Sequence, residues 1–242
     1  MNNKEVLHRG DVTESDDFDM DFNSGGLDDL DMAAAAADSA ARLRKRFALV
    51  VDATGSMGSV WAAATEALAQ AVDEINAKSR VPVQIKVVAY RDHTCDGDFL
   101  EQSQWSNDSK YLKEFIGGIS DHGGGDYPES VGHGLGACLQ QDCGQIILIG
   151  DAAGRDNSTG FKEAEIMGQD KCPIFAMYTD KDDHRLVRHF EKLAQLSGGK
   201  AMLLKTGTSF MRDVLGILFG KALGITYQPA TAEGIEAQKL LS

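Results

Sequence analysis

From Arg46 onward the chain alternates between two hydrophobic periods. Short β-branched runs, FALVVDA (47–53), VPVQIKVVAY (81–90), QIILIG (145–150), PIFAMYT (173–179) and KAMLL (200–204), read as buried strands. Between them lie longer stretches with apolar residues three and four apart, the spacing of one helix face. The first, 57–78, lines up Val60, Ala63, Ala64, Leu68, Ala71, Val72 and Ile75. Further helices are predicted over 109–116, 128–140, 160–167, 183–196 and 209–223, and FLEQSQW (99–105) as a short edge strand. Pro128 suits a first helical position, where its missing N–H removes no hydrogen bond, and Ser197-Gly198-Gly199 is a helix stop. Strands that alternate with helices must be covered on both faces. The expected fold is therefore α/β: a doubly wound, mostly parallel sheet flanked by helices on both faces, one domain over 46–224.

Residues 1–45 break this pattern. Nine acidic side chains and no Lys or Arg fall within 11–31, with scattered Phe, Met and Leu between them, a composition that cannot bury enough apolar surface to fold alone. Arg42, Arg44, Lys45 and Arg46 then close an alanine-rich run. The expectation is a disordered acidic leader, a linker helix, and, beyond the domain, a flexible C-terminal tail over 225–242.

A net charge of −13 argues against nucleic acid as a partner and favours cations or basic surfaces. With no apolar run of the ~20 residues a bilayer requires, no membrane span is expected. Cys95, Cys138, Cys143 and Cys172 form no CxxC pair and are too few for a disulfide framework, so reduced thiols in a cytoplasmic protein are expected.

The chemistry is expected where strands end, because open α/β sheets bind ligands at their carboxyl edge. Asp52, Thr54 and Ser56 follow the first strand at i, i+2 and i+4; Arg91-Asp92-His93 follows the second; Asp151 follows QIILIG; and Asp126 lies in the glycine-rich GGGDYPES (123–130). Asp52, Thr54, Ser56, Asp126 and Asp151 offer only hard oxygen donors, which suit Mg2+, with Mn2+ or Ca2+ as alternatives, and disfavour zinc. Glycines at 55 and 123–125 let the backbone turn tightly near an ion. Taken singly, Thr54 and Ser56 would be helix caps and the aspartates strand-end carboxylates. Several carboxylates converging on one rim would instead repel each other unless a cation sat between them.

The order DATGSM, GGGDYPE, ILIGDA on an α/β chain resembles the von Willebrand factor type A domain with its metal-ion-dependent adhesion site. The first motif of that family, D-x-S-x-S with D-T-T-G-S-M as a variant, is matched at Asp52, Thr54, Ser56 and Met57. The resemblance implies that Asp126 stands where most members have threonine, in a G-G-G-D-x-P-E subgroup, that Asp151 is the third-loop aspartate, and that Asp92 lies just behind the ligands. It also implies a binding module rather than an enzyme: one metal position stays open for the carboxylate of a partner protein, here in an intracellular adaptor or scaffold. A leader carboxylate, from the same or a neighbouring copy, would be a candidate occupant of that position, holding the site closed.

An enzymatic alternative starts from the same residues. DATGS also resembles the D-K-T-G-T of haloacid-dehalogenase phosphotransfer enzymes, which would make Asp52 a nucleophile, Asp151 and Asp156 magnesium ligands, and Lys171 the phosphoryl-steadying cation. Thr54 and Ala53 replace two residues that class uses, and GGGDYPE is left unexplained. The dinucleotide G-x-G-x-x-G and phosphate-loop G-x-x-x-x-G-K-[ST] spacings are absent. His93, Cys95, His122 and His133 lack the paired spacing of a zinc site and are expected as rim residues, with Trp61 and Trp105 as packing residues.

Overall fold

The computed structural model describes residues 45–80, 82–92, 99–119, 130–139, 141–154 and 157–242, together with 32 and 34; the side chains of 157–159 lie outside that description. The chain divides into two units, Met1–Asp38 and Ser39–Ser242. In the first, Met32 and Ala34 are described, both helical and exposed, and the expected disorder of the leader lies outside the described residues.

The second unit runs β1 (Arg46–Asp52), a 3-10 turn (Gly55–Met57), α1 (Gly58–Lys78), β2 (Gln84–Tyr90), β3 (Leu100–Gln102), α2 (Ser109–Gly118), α3 (Val131–Gly136), β4 (Gln145–Gly150), α4 (Asn157–Gln169), β5 (Ile174–Tyr178), α5 (His184–Ser197), β6 (Ala201–Leu203), α6 (Thr208–Leu223) and α7 (Ala232–Leu241). One six-stranded sheet has the order β3-β2-β1-β4-β5-β6. Every pairing is parallel except the antiparallel edge strand β3. This is the doubly wound α/β domain expected from the alternating periods.

Alternation along β1 builds two cores. Phe47, Leu49 and Val51 face a cluster that includes Leu68, Val72 and Ile75 of α1, Leu112 of α2 and Val214, Leu218 and Phe219 of α6. Ala48 and Val50 face the opposite cluster, with Leu135 of α3, Ala164 and Met167 of α4, and Leu186, Phe190 and Leu193 of α5. Each fully buried Val, Leu or Phe contributes about 1.5–3 kcal/mol, so both layers hold the sheet edge in place.

Local chemistry sets the boundaries. Asp108 and Asp183 cap α2 and α5 by accepting from the amides two and three residues on, and Gly198 ends α5 with φ at 79°. β2 begins later than its apolar run because the Val83 amide donates to Asn76 Oδ1 at 2.9 Å and so is tied to α1 rather than to the ladder. The helix expected from Pro128 is described only from Val131, Pro128 itself lying outside the described residues.

The C-terminal expectation is corrected. Residues 225–242 are not a loose tail: Tyr227, Ala237 and Leu241 are buried against the core and α7 packs on α6. The reason is tertiary. A side chain at Gly216 would meet the Tyr227 ring at 2.2 Å, so the glycine opens the slot that the ring fills.

Candidate metal centre

β1 pairs with β2 on one side and β4 on the other, so the carboxyl ends of β1 and β4 flank the point where the chain's crossovers diverge. That crevice is the ligand position of open α/β sheets. Asp52 is the last residue of β1 and Asp151 directly follows β4.

Asp52 is fully buried. Its Oδ1 accepts from the Thr54 amide at 2.9 Å and from Thr54 Oγ1 at 2.7 Å. Thr54 Oγ1 lies 3.2 Å from Ser56 Oγ, and Ser56 is exposed. The i, i+2, i+4 residues thus form a string of oxygens leading from the core to solvent. Thr54 stands at the start of the 3-10 turn but makes no side-chain cap bond, and the N-cap of α1 is Met57, which has no such group. Helix capping therefore does not account for the Thr54 hydroxyl, which is turned back onto Asp52.

Asp52 Oδ2 is buried and has no hydrogen-bond partner among the described residues. Leaving a buried polar atom unsatisfied costs on the order of 1–3 kcal/mol, and more for a charged group. Burial pushes the Asp52 carboxyl up to about 7; the Thr54 hydrogen bonds oppose this, and the neighbouring Asp151 adds to the rise. Two carboxyls brought together, of which Asp52 ionises only against burial and the charge of Asp151, match the demand of a hard divalent cation, which would supply the missing positive charge. The donor set fits: two carboxylates and two hydroxyls, all oxygen. Among the described residues no group of three or more His, Cys, Asp or Glu is placed to hold a metal ion.

The surroundings hold these atoms in place. Trp61, expected as packing alone, also donates its indole N–H to the Asp52 carbonyl at 2.7 Å. Substituting phenylalanine should keep most of the packing but orphan that carbonyl, lowering stability by about 1 kcal/mol in urea denaturation. Gly150 was missed by sequence reasoning: a Cβ there would lie 2.6 Å from the Tyr90 hydroxyl and 3.6 Å from Asp52 Cβ. The signal was partial: a buried β-branched strand that ends on glycine points to a close approach but does not say what approaches.

Asp92 is buried just beyond β2, next to Arg91, which is fully buried and pairs with Glu101 of β3 at 2.7 Å. Asp126, with its glycine loop, and His93, Cys95, His122 and Asp156 lie outside the described residues. His133 is exposed and meets Phe99 edge-on, and Trp105 lies under the Arg46 guanidinium.

Lys171 does not fit the phosphoryl-steadying role that the phosphotransfer alternative would give it. Lys171 precedes β5, at the amino edge of a parallel sheet whose carboxyl edge carries Asp52. A lysine on the far edge cannot steady a phosphoryl group on Asp52.

Known proteins share the fold. The chain has the fold of a von Willebrand factor type A protein from Catenulispora acidiphila, with a TM-score of 0.55 and 16% identity over 74% of this chain and 42% of that one. It also has the fold of proximal thread matrix protein 1 from the mussel byssus, in a structure with a zinc-occupied MIDAS motif, at a TM-score of 0.53 and 16% identity over 74% and 47% of the two chains. A curated relative, an ariadne-like RING finger protein of Acanthamoeba polyphaga mimivirus, is 41% identical over 83 residues, which are 34% of this chain and 8% of that protein. The chain thus spans less than half the length of each of these proteins. Among the described residues no helix is long and apolar enough to cross a membrane. The family model for the von Willebrand factor A domain matches residues 46–206, from the first residue of β1 to just beyond β6, and the chain belongs to that family.

Proposed function

We propose that this domain is a Mg2+-dependent protein-interaction module in which Asp52, Thr54, Ser56, Asp126 and Asp151 hold the ion and a partner's Asp or Glu carboxylate completes its coordination. The observation that carries the reading is the buried, unpartnered Oδ2 of Asp52 beside Asp151 at the switch point of the sheet. When bound, the cation supplies a positive anchor for an anionic group. The protein's own part is to present the oxygens in a fixed string: Trp61 holds the end of β1, Thr54 orients Asp52, and Ser56 brings a hydroxyl to the surface.

Binding, rather than turnover, is the proposed activity, since the hydroxyl that Asp52 holds, that of Thr54, is buried and so is not placed to attack a substrate. An intracellular adaptor role belongs to the same proposal, supported by three described cysteines that are unbridged. Manganese or calcium could replace magnesium on an all-oxygen site. The zinc in the mussel protein belongs to that protein, and competition among these ions decides the preference here.

The test combines ion and partner. Mg2+ binding is measured by calorimetry on the wild type and Asp52→Ala, and partner retention by affinity purification with and without chelator. Partners lost both in the variant and on chelation support the reading; partners retained in both overturn it. Phosphate release from a generic phosphoester that vanishes in Asp52→Asn would replace binding with catalysis.

A further inference from the structure

At the amino edge of the sheet, away from the metal centre, Cys138, Cys143 and Cys172 line one cavity of about 330 Å³ together with Met167 and Asp170. Cys143 precedes β4 and Cys172 precedes β5, and these strands pair from Ile146 and Ile174, with the Ile146 amide donating to the Pro173 carbonyl at 2.9 Å. Continued back from Ile146 and Ile174, the register sets Cys172 level with Gly144, the residue after Cys143, so the two cysteines enter the cavity on a diagonal, one step apart. Asp142 and Lys171, the residues immediately before them, adopt left-handed backbone with φ of 51° and 56°, the two such non-glycine positions among the described residues.

The three thiols differ in kind. The Cys143 thiol donates to the Gln145 carbonyl at 3.0 Å and is partly exposed in the cavity, whereas Cys138 and Cys172 are buried. A hydrogen bond from the Cys172 thiol, helped by backbone groups and the Arg46 guanidinium, holds the Cys143 thiol below its ordinary value despite burial. The same hydrogen bond raises Cys172, and burial raises Cys138, whose thiol points to the Gly134 carbonyl at 3.6 Å. Access sets the roles: Cys143 is the sulfur a small oxidant in the cavity reaches first, Cys172 and Cys138 are buried behind it, and the Cys143 bond to the Gln145 carbonyl, which favours the neutral thiol, must open before attack.

We propose that Cys143 and Cys172 form a peroxide-reactive dithiol that closes to a disulfide across the mouths of β4 and β5. The Cys143 thiolate attacks one peroxide oxygen, the O–O bond breaks, and the departing hydroxide takes up a proton as water, leaving Cys143 as a sulfenic acid. The Cys172 sulfur then displaces that hydroxyl, gives up its own proton, and the hydroxyl leaves as a second water. Two thiols lose two electrons and one peroxide gains them. The new bond closes the loop that contains α4.

The test uses the full, reduced chain treated with equimolar hydrogen peroxide and mapped by mass spectrometry without reduction. The expected product is a linked Cys143–Cys172 peptide pair, with Cys138 recovered as free thiol and the melting temperature raised by several degrees. In Cys172→Ser, dimedone should trap a sulfenic acid at Cys143; in Cys143→Ser, no position should be trapped at a comparable rate. The idea is overturned by labelling at Cys138 or Cys172 ahead of Cys143, by a link from Cys143 to Cys95, or by oxidation no faster than that of free cysteine. Mapping of the unmutated chain settles the matter even where a serine variant fails to fold.

Discussion

Asp52→Asn is expected to make the metal-free protein more stable at about pH 8 while abolishing its response to Mg2+. The two effects share one cause. In the folded, metal-free state burial and the nearby Asp151 raise the Asp52 carboxyl to about 7 from an ordinary value of 3.8. A carboxyl whose folded value lies above its unfolded value binds its proton more tightly when folded. Its contribution is fully present below about pH 4 and is lost as pH rises through about 7. The three or so units of difference correspond to a ceiling of about 4 kcal/mol. Asparagine keeps an oxygen for Thr54 and places an uncharged donor where Oδ2 has no partner, facing Asp151, so about 2–4 kcal/mol of that loss should disappear. A divalent ion removes the same penalty in the wild type by neutralising both carboxylates. Thermal denaturation from about pH 5 to 8, with chelator and with Mg2+, reads both effects. Wild-type stability that is flat with pH in chelator, or a variant that still gains from Mg2+, would show that Asp52 is not the anchor.

Asp213→Ala should release the C-terminal helix. Asp213 is fully buried on α6 and accepts four hydrogen bonds from the segment after that helix. Its Oδ2 receives the Ala230 amide at 3.0 Å, the Thr231 amide at 2.8 Å and Thr231 Oγ1 at 2.7 Å, and Oδ1 receives the Tyr227 hydroxyl at 3.2 Å. Thr231 Oγ1 in turn accepts the Gly234 amide at 2.9 Å and caps α7. Burial pushes the Asp213 carboxyl up, but the Thr231 and Ala230 hydrogen bonds outweigh it and hold the group below its ordinary value. Its stabilisation is present above the unfolded value and fades as pH falls. Alanine leaves two amides and the Thr231 hydroxyl without their acceptor and the Arg212 guanidinium without its ion pair, while the Tyr227 hydroxyl keeps Glu74 at 3.3 Å, an expected loss of about 3–5 kcal/mol. Limited proteolysis within 225–242 and a melting temperature lower by roughly 10 °C are the measurements. An unchanged cleavage pattern would mean that the Tyr227 packing alone holds α7.

Much of this was legible in the residues. FALVVD and QIILIG could only be buried strands, and the stripe from Val60 to Ile75 could only be a covered helix, so the layered α/β arrangement followed from period and length. That Asp52, Thr54 and Ser56 join in one string of oxygens was also readable, because three short oxygen side chains at alternate positions after a strand have few structural uses. The roles of Trp61, Gly150 and Asp213 were not readable. An indole N–H that reaches a strand-end carbonyl, a glycine that admits a tyrosine hydroxyl and a carboxylate that ties down the turn after its helix each join residues in different elements, beyond what a strand or helix period can signal. The tail was misread for the same reason: Tyr227, Ala237 and Leu241 carry too little apolar area to announce a helix until α6 supplies the surface they cover.

By itself, then, the amino-acid order determined the two hydrophobic periods, the strand–helix alternation and the family motif, because these depend on local spacing and backbone preference. Which strands became neighbours was decided only by the tertiary structure. The order β3-β2-β1-β4-β5-β6 sets Asp52 against Asp151 at one edge and Cys143 against Cys172 at the other. Burial there leaves one carboxylate oxygen without a partner. Desolvation and the proximity of like charges arise from packing, and no run of letters contains them.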